Sequence, residues 1–270
     1  MATISELNIY PLKSGRAIRK DHARLGTTGF EWDRHWMAAN PDGVFMSQRT
    51  QPRLALVEIE FGEGELILQA PTQQMLRLPL EPEGTAQFAR VWKDSVSALD
   101  QGDLAARWLS EVVGVPARLL RISPVLDRRA NATFAGPIAA PVSFSDGFPI
   151  LVCNAASLAY LNSRMPEPVP MERFRPNIVL EGLEPFEEDR ISELRFGTVI
   201  LKLVKPCTRC VITSTDQHTG QPSTNPLPVL RAFRFDKALM GVTFGENAVI
   251  AHGVGEVLQV GAECSVVHDA

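Results

Sequence analysis

The sequence predicts a mainly β or α+β fold, with a β-barrel-like domain over residues 1–122 followed by a second β-barrel domain with a few helices over 123–270. Three observations predict it. Many short runs alternate apolar and polar residues between Gly, Pro and Asp turn signals; only two or three segments have helical spacing; and an Ala-, Pro-, Gly- and Ser-rich stretch without periodicity separates the halves. A doubly wound parallel sheet would instead alternate strands and helices throughout.

Taken in chain order, the first strand is broken by Pro11 in YPLKSGR. In GFEWDRHWMAANPDGVFMSQR, Pro41-Asp42-Gly43 separates two strand-like runs as in a hairpin. LALVEIEFGEGELILQA repeats that pattern about Gly62-Glu63-Gly64, with Leu66, Leu68 and Ala70 alternating. DLAARWLSEVVG places Leu104, Ala105, Trp108, Leu109 and Val112 on one helical face, with Gly114 at the C-terminal cap and Asp103 or Asp100 at the N-cap. After the strand ARLLRIS, the segment RRANATFAGPIAAPVSFSDGFP reads as a connection between lobes. NAASLAYLNSRM reads as a helix capped by Asn154, and RPNIVLEG, ELRFGTVILKLV, NAVIAHG and EVLQVGAECSVV read as strands.

The chain has 270 residues, 45% hydrophobic and 21% charged, the composition of a globular protein with a substantial core. A net charge of −4 and a pI near 5.8 argue against general nucleic-acid binding, so any anion must be bound by a local basic cluster. MATISELNIY has no basic-then-apolar leader pattern, and no run approaches the ~20 apolar residues of a membrane span. No membrane association and a cytoplasmic location are therefore expected. Cys153, Cys207, Cys210 and Cys264 form no disulfide framework and should be reduced thiols.

KPCTRCVITSTDQHTG places Cys207 and Cys210 in a CxxC. A structural zinc site needs four ligands, and here there is no second pair. A redox dithiol needs its first cysteine at a helix N-terminus, whereas VITST favours strand. Buried thiols acting as small hydrophobes remain a simple alternative. Lys202, Lys205 and Arg209 nearby would favour a thiolate able to ligate a soft metal.

Other basic residues have the same double reading. Lys13 and Ser14, ahead of Gly15, could hold a phosphate or form a solvated turn. Arg34 between Trp32 and Trp36 shares their face if the segment is a strand. Its neighbour Asp33 would then point away, favouring an external anion over an Asp33-Arg34 pair. Arg173 and Arg175 in ERFRPNIVL would share one side of a strand, suited to phosphate or to a salt bridge.

YPLKSGR, WDRHW and SQRTQPRLALV resemble the N-terminal β-barrel domain that precedes MOSC domains, and SDGFPILVCNAASLAYLN, RFRPNIVL, KPCTRCVITSTDQHTG and FGENAVIAHGVGEVLQVG resemble the MOSC domain itself, in the branch that includes the mitochondrial amidoxime-reducing components. The resemblance covers essentially the whole chain. It implies a molybdenum cofactor (Mo-molybdopterin), with Cys210 as metal ligand and catalytic residue. Lys13, Ser14, Arg34, Arg175, Asn177, Thr208 and Arg209 would be its binding residues, with Asn154 and Ser157 as further contacts. The activity it implies is reduction of N-hydroxylated or N-oxygenated compounds with release of water. No C-terminal cysteine cluster follows, so the expected electron source is a separate protein of flavin reductase, ferredoxin-like or cytochrome b5-like type. The alternative is a non-catalytic carrier of the molybdenum cofactor or of persulfide sulfur.

Overall fold

Ala2, Ile4 and Leu7 of the first strand are buried in one core with Val152, Ile178, Leu180, Leu194, Leu201 and Ala248 from strands far along the chain. The computed structural model describes residues 1–269; Ala270, the last residue of the expected second domain, lies outside the described residues. In it, seven strands close into a ring in the order Ile150–Asn154, Ile178–Glu181, Ala2–Ile9, Glu263–His268, Ile191–Phe196, Val199–Thr208 and Gly241–His252, the last pairing back onto the first. Neighbours within the ring are paired, so their N–H and C=O groups are not left on an open edge. Only Ile150–Asn154 and Ile178–Glu181 run parallel, and the helix Ala155–Asn162 lies in the crossover between them. The mainly β class expected from the sequence is the class observed.

Most of the remaining first half forms a five-stranded sheet ordered Thr85–Val91, Asp94–Asp100, Arg118–Ile122, Trp36–Ala39, Leu12–Lys13, and a three-stranded meander of Glu58–Phe61, Glu65–Gln69 and Leu76–Pro79, while His22–Gly26 and Gly29–Phe30 form a small sheet with Val257–Gln259. The helix Gly102–Val113 buries Ala105, Trp108, Leu109 and Val112 in the same core as Leu66, Leu68 and Leu119. Gly114 caps it in the left-handed conformation. Leu104, expected on the buried face, is exposed. Gln101 occupies the N-cap position, and Asp100 contributes by accepting from the Gly102 amide at 2.8 Å.

Three segments read as strands are turns or 3-10 helix, and all three border the cavity described below. WDRHW is a turn in which Trp32 and Arg34 have positive φ, and a strand begins only at Trp36. Val211–Ser214 is a 3-10 helix, held by the Thr213 amide and hydroxyl both donating to the Cys210 carbonyl. That local hydroxyl bond competes with sheet pairing. Met171–Phe174 is likewise 3-10, ending at a left-handed Arg175, and the strand starts at Ile178.

Candidate functional site

Ser14, Arg34, Trp92 and Arg175 have φ of 67, 52, 58 and 56°. Such backbone costs a non-glycine residue on the order of 1–3 kcal/mol and persists where the surroundings enforce it. These four are half of the eight such residues among the described residues, and all four line one cavity of about 910 Å3. The wall draws on both halves, with Lys13, Ser14 and Arg34 facing Asn177, Arg209 and Cys210. Nine Lys or Arg side chains line it against two Asp, although the chain carries a net −4. The cavity wall is therefore locally cationic in an acidic chain.

Four of these basic groups, Lys13, Arg34, Arg175 and Arg209, are held by specific contacts. Lys13 is buried, and its Nζ donates to the Phe144 carbonyl at 2.8 Å and to Asp146 Oδ1 at 2.7 Å. Burial lowers its pKa, with Asp146 opposing. Arg34 Nη1 donates to Asp33 Oδ2 and, at 3.1 Å, to Asn177 Oδ1, while Nη2 donates to the Arg175 carbonyl at 3.2 Å. The Asp33-Arg34 pair therefore forms, because turn backbone brings together neighbours that a strand would separate. Asn177 Oδ1 also accepts from the Leu151 amide, and Nδ2 donates to the Asn8 carbonyl, so this amide fixes Arg34 and the chain around it.

Arg175 Nη1 donates to the Gly15 carbonyl at 2.7 Å, and its guanidinium lies 4.2 Å from the Tyr10 ring centroid, which Arg34 approaches to 4.3 Å. Burial lowers the Arg175 pKa to about 10. Arg209 Nη1 donates to Cys207 Sγ at 2.9 Å and Nη2 to the Phe174 carbonyl at 2.5 Å. Cys207 is thus tied to Arg209. Cys210 precedes the Val211–Ser214 helix, its sulfur makes no capping bond, and it lines the cavity with Thr208.

Arg175 Nη2, Arg209 Nε and Ser145 Oγ are buried without a hydrogen-bond partner. Leaving such groups unpaired costs about 1–3 kcal/mol each, so a ligand that accepts from them is stabilised. Among the described residues, no three His, Cys, Asp or Glu side chains converge as a metal site. A metal bound through Cys210 would need most of its ligands from a cofactor. One sulfur, orphaned donors and a surplus of cations fit the molybdenum cofactor implied by the resemblance.

Eight of the ten residues singled out from the sequence line the cavity: Lys13, Ser14, Arg34, Arg175, Asn177, Thr208, Arg209 and Cys210. Asn154 and Ser157 do not. Asn154 Oδ1 caps the Ala155–Asn162 helix through the Ala156 amide, and Nδ2 donates to Glu188 Oε2 at 3.0 Å. Ser157 Oγ donates to Glu188 at 2.8 Å and accepts from the Phe186 amide. Both are fully buried and hold a carboxyl outside the cavity. Sequence reasoning missed Arg49, Trp92, Lys93, Arg128, Arg129, Ser145 and Asp146. Paired arginines and Ser145-Asp146-Gly147 within an aperiodic connection were the available signal, since loops on a rigid scaffold often carry binding groups.

Two family models match the chain: the MOSC N-terminal beta barrel domain over residues 1–116 and the MOSC domain over 139–265. Mitochondrial amidoxime reducing component 2 of Bos taurus is 34% identical over 244 residues, which span 87% of this chain and 73% of that protein. Mitochondrial amidoxime-reducing component 1 of Mus musculus is 32% identical over 255 residues, 89% of this chain and 75% of that protein. The human component 2 is 32% identical over 244 residues, 87% and 73% respectively. These names correct the expected cytoplasmic location, because the relatives are called mitochondrial. Among the described residues no helix is long and apolar enough to cross a membrane, but hydropathy does not specify a compartment.

Proposed function

This chain belongs to the MOSC-domain family, with a MOSC N-terminal β-barrel domain ahead of the MOSC domain, and we propose that it is a molybdenum-cofactor-dependent oxidoreductase reducing N-hydroxylated or N-oxygenated compounds of amidoxime type. Relatives named as amidoxime reducing components support the reaction class. The observation that carries the reading is Cys210, on a cationic wall whose Arg175 and Arg209 have buried donors with no acceptor.

In this reading Cys210 Sγ is the protein's bond to the metal. Lys13, Ser14, Arg34, Arg175, Thr208 and Arg209 bind the pterin and its phosphate, since guanidinium forks match phosphate oxygens. Asn177 positions Arg34, and Cys207 positions Arg209, the residue beside the ligand. When bound, the cofactor would supply the two-electron redox change. Cleaving the N–O bond of a hydroxylamine-type group consumes two electrons and two protons and yields an N–H bond and water. The electrons come from a separate donor protein.

The test is molybdenum and pterin analysis of protein made in a host that synthesises the cofactor. Both should be present in the wild type and in Cys207→Ser, and lost in Cys210→Ser; equal retention in the two variants sinks the assignment. Protein that keeps molybdenum yet never reduces an amidoxime with artificial electron donors is the non-catalytic carrier instead.

A further inference from the structure

Three of the nine cavity cations have a carboxylate partner: Lys13 with Asp146, Arg34 with Asp33, and Arg128 with Asp94. Arg175 and Arg209 supply the orphaned donors assigned above to the cofactor. The remaining four, Arg49, Lys93, Arg129 and Lys205, form no ion pair among the described residues. A cofactor phosphate is a single anionic group, and the inner cations already match it. These four, here called the outer cations, therefore line the cavity without a carboxylate in ion-pair contact.

Their setting is aromatic. The Arg49 guanidinium lies 4.5 Å from the Trp92 ring centroid and the Lys205 ammonium 4.8 Å from that of Phe134, which meets Phe148 edge-on at 6.4 Å. Trp92 is nearly half exposed, in the tight turn between Thr85–Val91 and Asp94–Asp100. Its Nε1 donates to Asp146 Oδ1 at 3.1 Å, and its ring packs 4.8 Å from Phe45. That anchoring holds a left-handed tryptophan at the cavity wall, with Lys93 next in the chain. An exposed ring, carried on left-handed backbone and backed by a guanidinium without an ion pair, presents a flat surface beside positive charge. Arg stacked on an aromatic face keeps donors at its edge free for an anion.

Building on the reductase reading, we propose that the outer cavity selects planar N-oxygenated substrates that carry a carboxylate or phosphate, with Trp92 as stacking surface and Arg49 and Lys93 as anion-binding residues. A neutral substrate leaves Arg49 and Lys93 without a counter-charge, whereas an anionic one supplies it.

The test uses the cofactor-loaded full chain with benzamidoxime and its 4-carboxy and 4-phosphate derivatives. The anionic compounds should show a KM about tenfold lower at low ionic strength, as loss of a charge-assisted contact would predict, and the gap should narrow with salt. In the double variant Arg49→Gln/Lys93→Gln the ratio of neutral to anionic KM should fall to near one, while Arg49→Lys should keep most of it. Equal KM values in the wild type, or a ratio that the double variant leaves intact, overturn the proposal. So does release of one nucleotide per molybdenum on hydrolysis of the cofactor, which would assign the outer cations to a nucleotide extension. Calorimetric binding of the 4-carboxy compound separates this proposal from the reductase reading. Charge-dependent binding lost in the double variant, with no turnover, supports the anion site and removes the reductase; no charge dependence in binding removes the anion site whether or not turnover occurs.

Discussion

Glu246 is 3% exposed, and its Oε1 has no hydrogen-bond partner. Burial raises its pKa from 4.5 to about 9, with Asp189 and Glu188 adding to the shift and Arg234 opposing it. The folded chain thus holds this proton more tightly than the unfolded chain. Its favourable contribution is complete below the unfolded value and is lost as pH rises toward about 9. Wild-type stability should fall across that window, by up to about 1.4 kcal/mol per pH unit, more steeply than in Glu246→Gln. Thermal melts should show the two proteins nearly equal at the acid end and the variant more stable at the alkaline end; parallel curves would contradict the assignment. Asn154 makes a second residue-scale case. Asn154→Ala removes a helix cap and a donor to buried Glu188, so a loss of about 1–3 kcal/mol is expected. Molybdenum content per folded protein should not change, because the side chain lies outside the cavity. The sequence shows Asn154 as a cap plainly, but nothing local distinguishes a cap that faces a cavity from one that faces a buried carboxyl.

At the scale of elements, Gly245 lies on the seam that closes the barrel. It has φ of 74°, and a Cβ there would sit 2.6 Å from Cys153 Sγ and 2.7 Å from the Val152 carbonyl, both on the adjoining Ile150–Asn154 strand. Gly245→Ala should therefore cost more than about 2 kcal/mol in a denaturant titration, through both strain and forced separation of the strands. A variant of unchanged midpoint would mean that the seam adjusts freely. Regular elements were legible because their periodicity is local: the hairpin about Gly62-Glu63-Gly64, the Gly102–Val113 helix with its glycine cap, and most barrel strands follow from spacing and turn residues, whereas the run after Pro41-Asp42-Gly43 makes only isolated bridges at Val44 and Phe45. The segments misread as strands are those whose shape depends on bonds to their own backbone or on distant partners. VITST has the β-branched composition of a strand, yet the Thr213 hydroxyl turns it back onto Cys210. Arg34 and Arg175 adopt left-handed backbone beside Tyr10, which their own sequence windows do not announce. The residue types at the site were thus readable, whereas the strained turns that aim them were not.

For the molecule as a whole, the two halves of the sequence share one barrel and one cavity. The Ala2–Ile9 strand pairs antiparallel with Ile178–Glu181 on one side and with Glu263–His268 on the other, so the C-terminal half alone lacks one of seven staves. Removing it would expose two strand edges and the apolar side chains that Ile4 and Leu7 cover. The cavity would also lose Lys13, Ser14, Arg34 and Trp92. A fragment of residues 123–270 should therefore fail to unfold cooperatively and should bind no cofactor. Co-expression with residues 1–122 should restore both properties, because the pairing surfaces are complementary and the break falls in the connection rather than in a strand. Cooperative melting is the direct measure, with molybdenum content as the second readout. If the 123–270 fragment melts cooperatively and retains molybdenum by itself, the first strand is dispensable, and the cofactor is held by the C-terminal residues around Cys210 without the N-terminal cations.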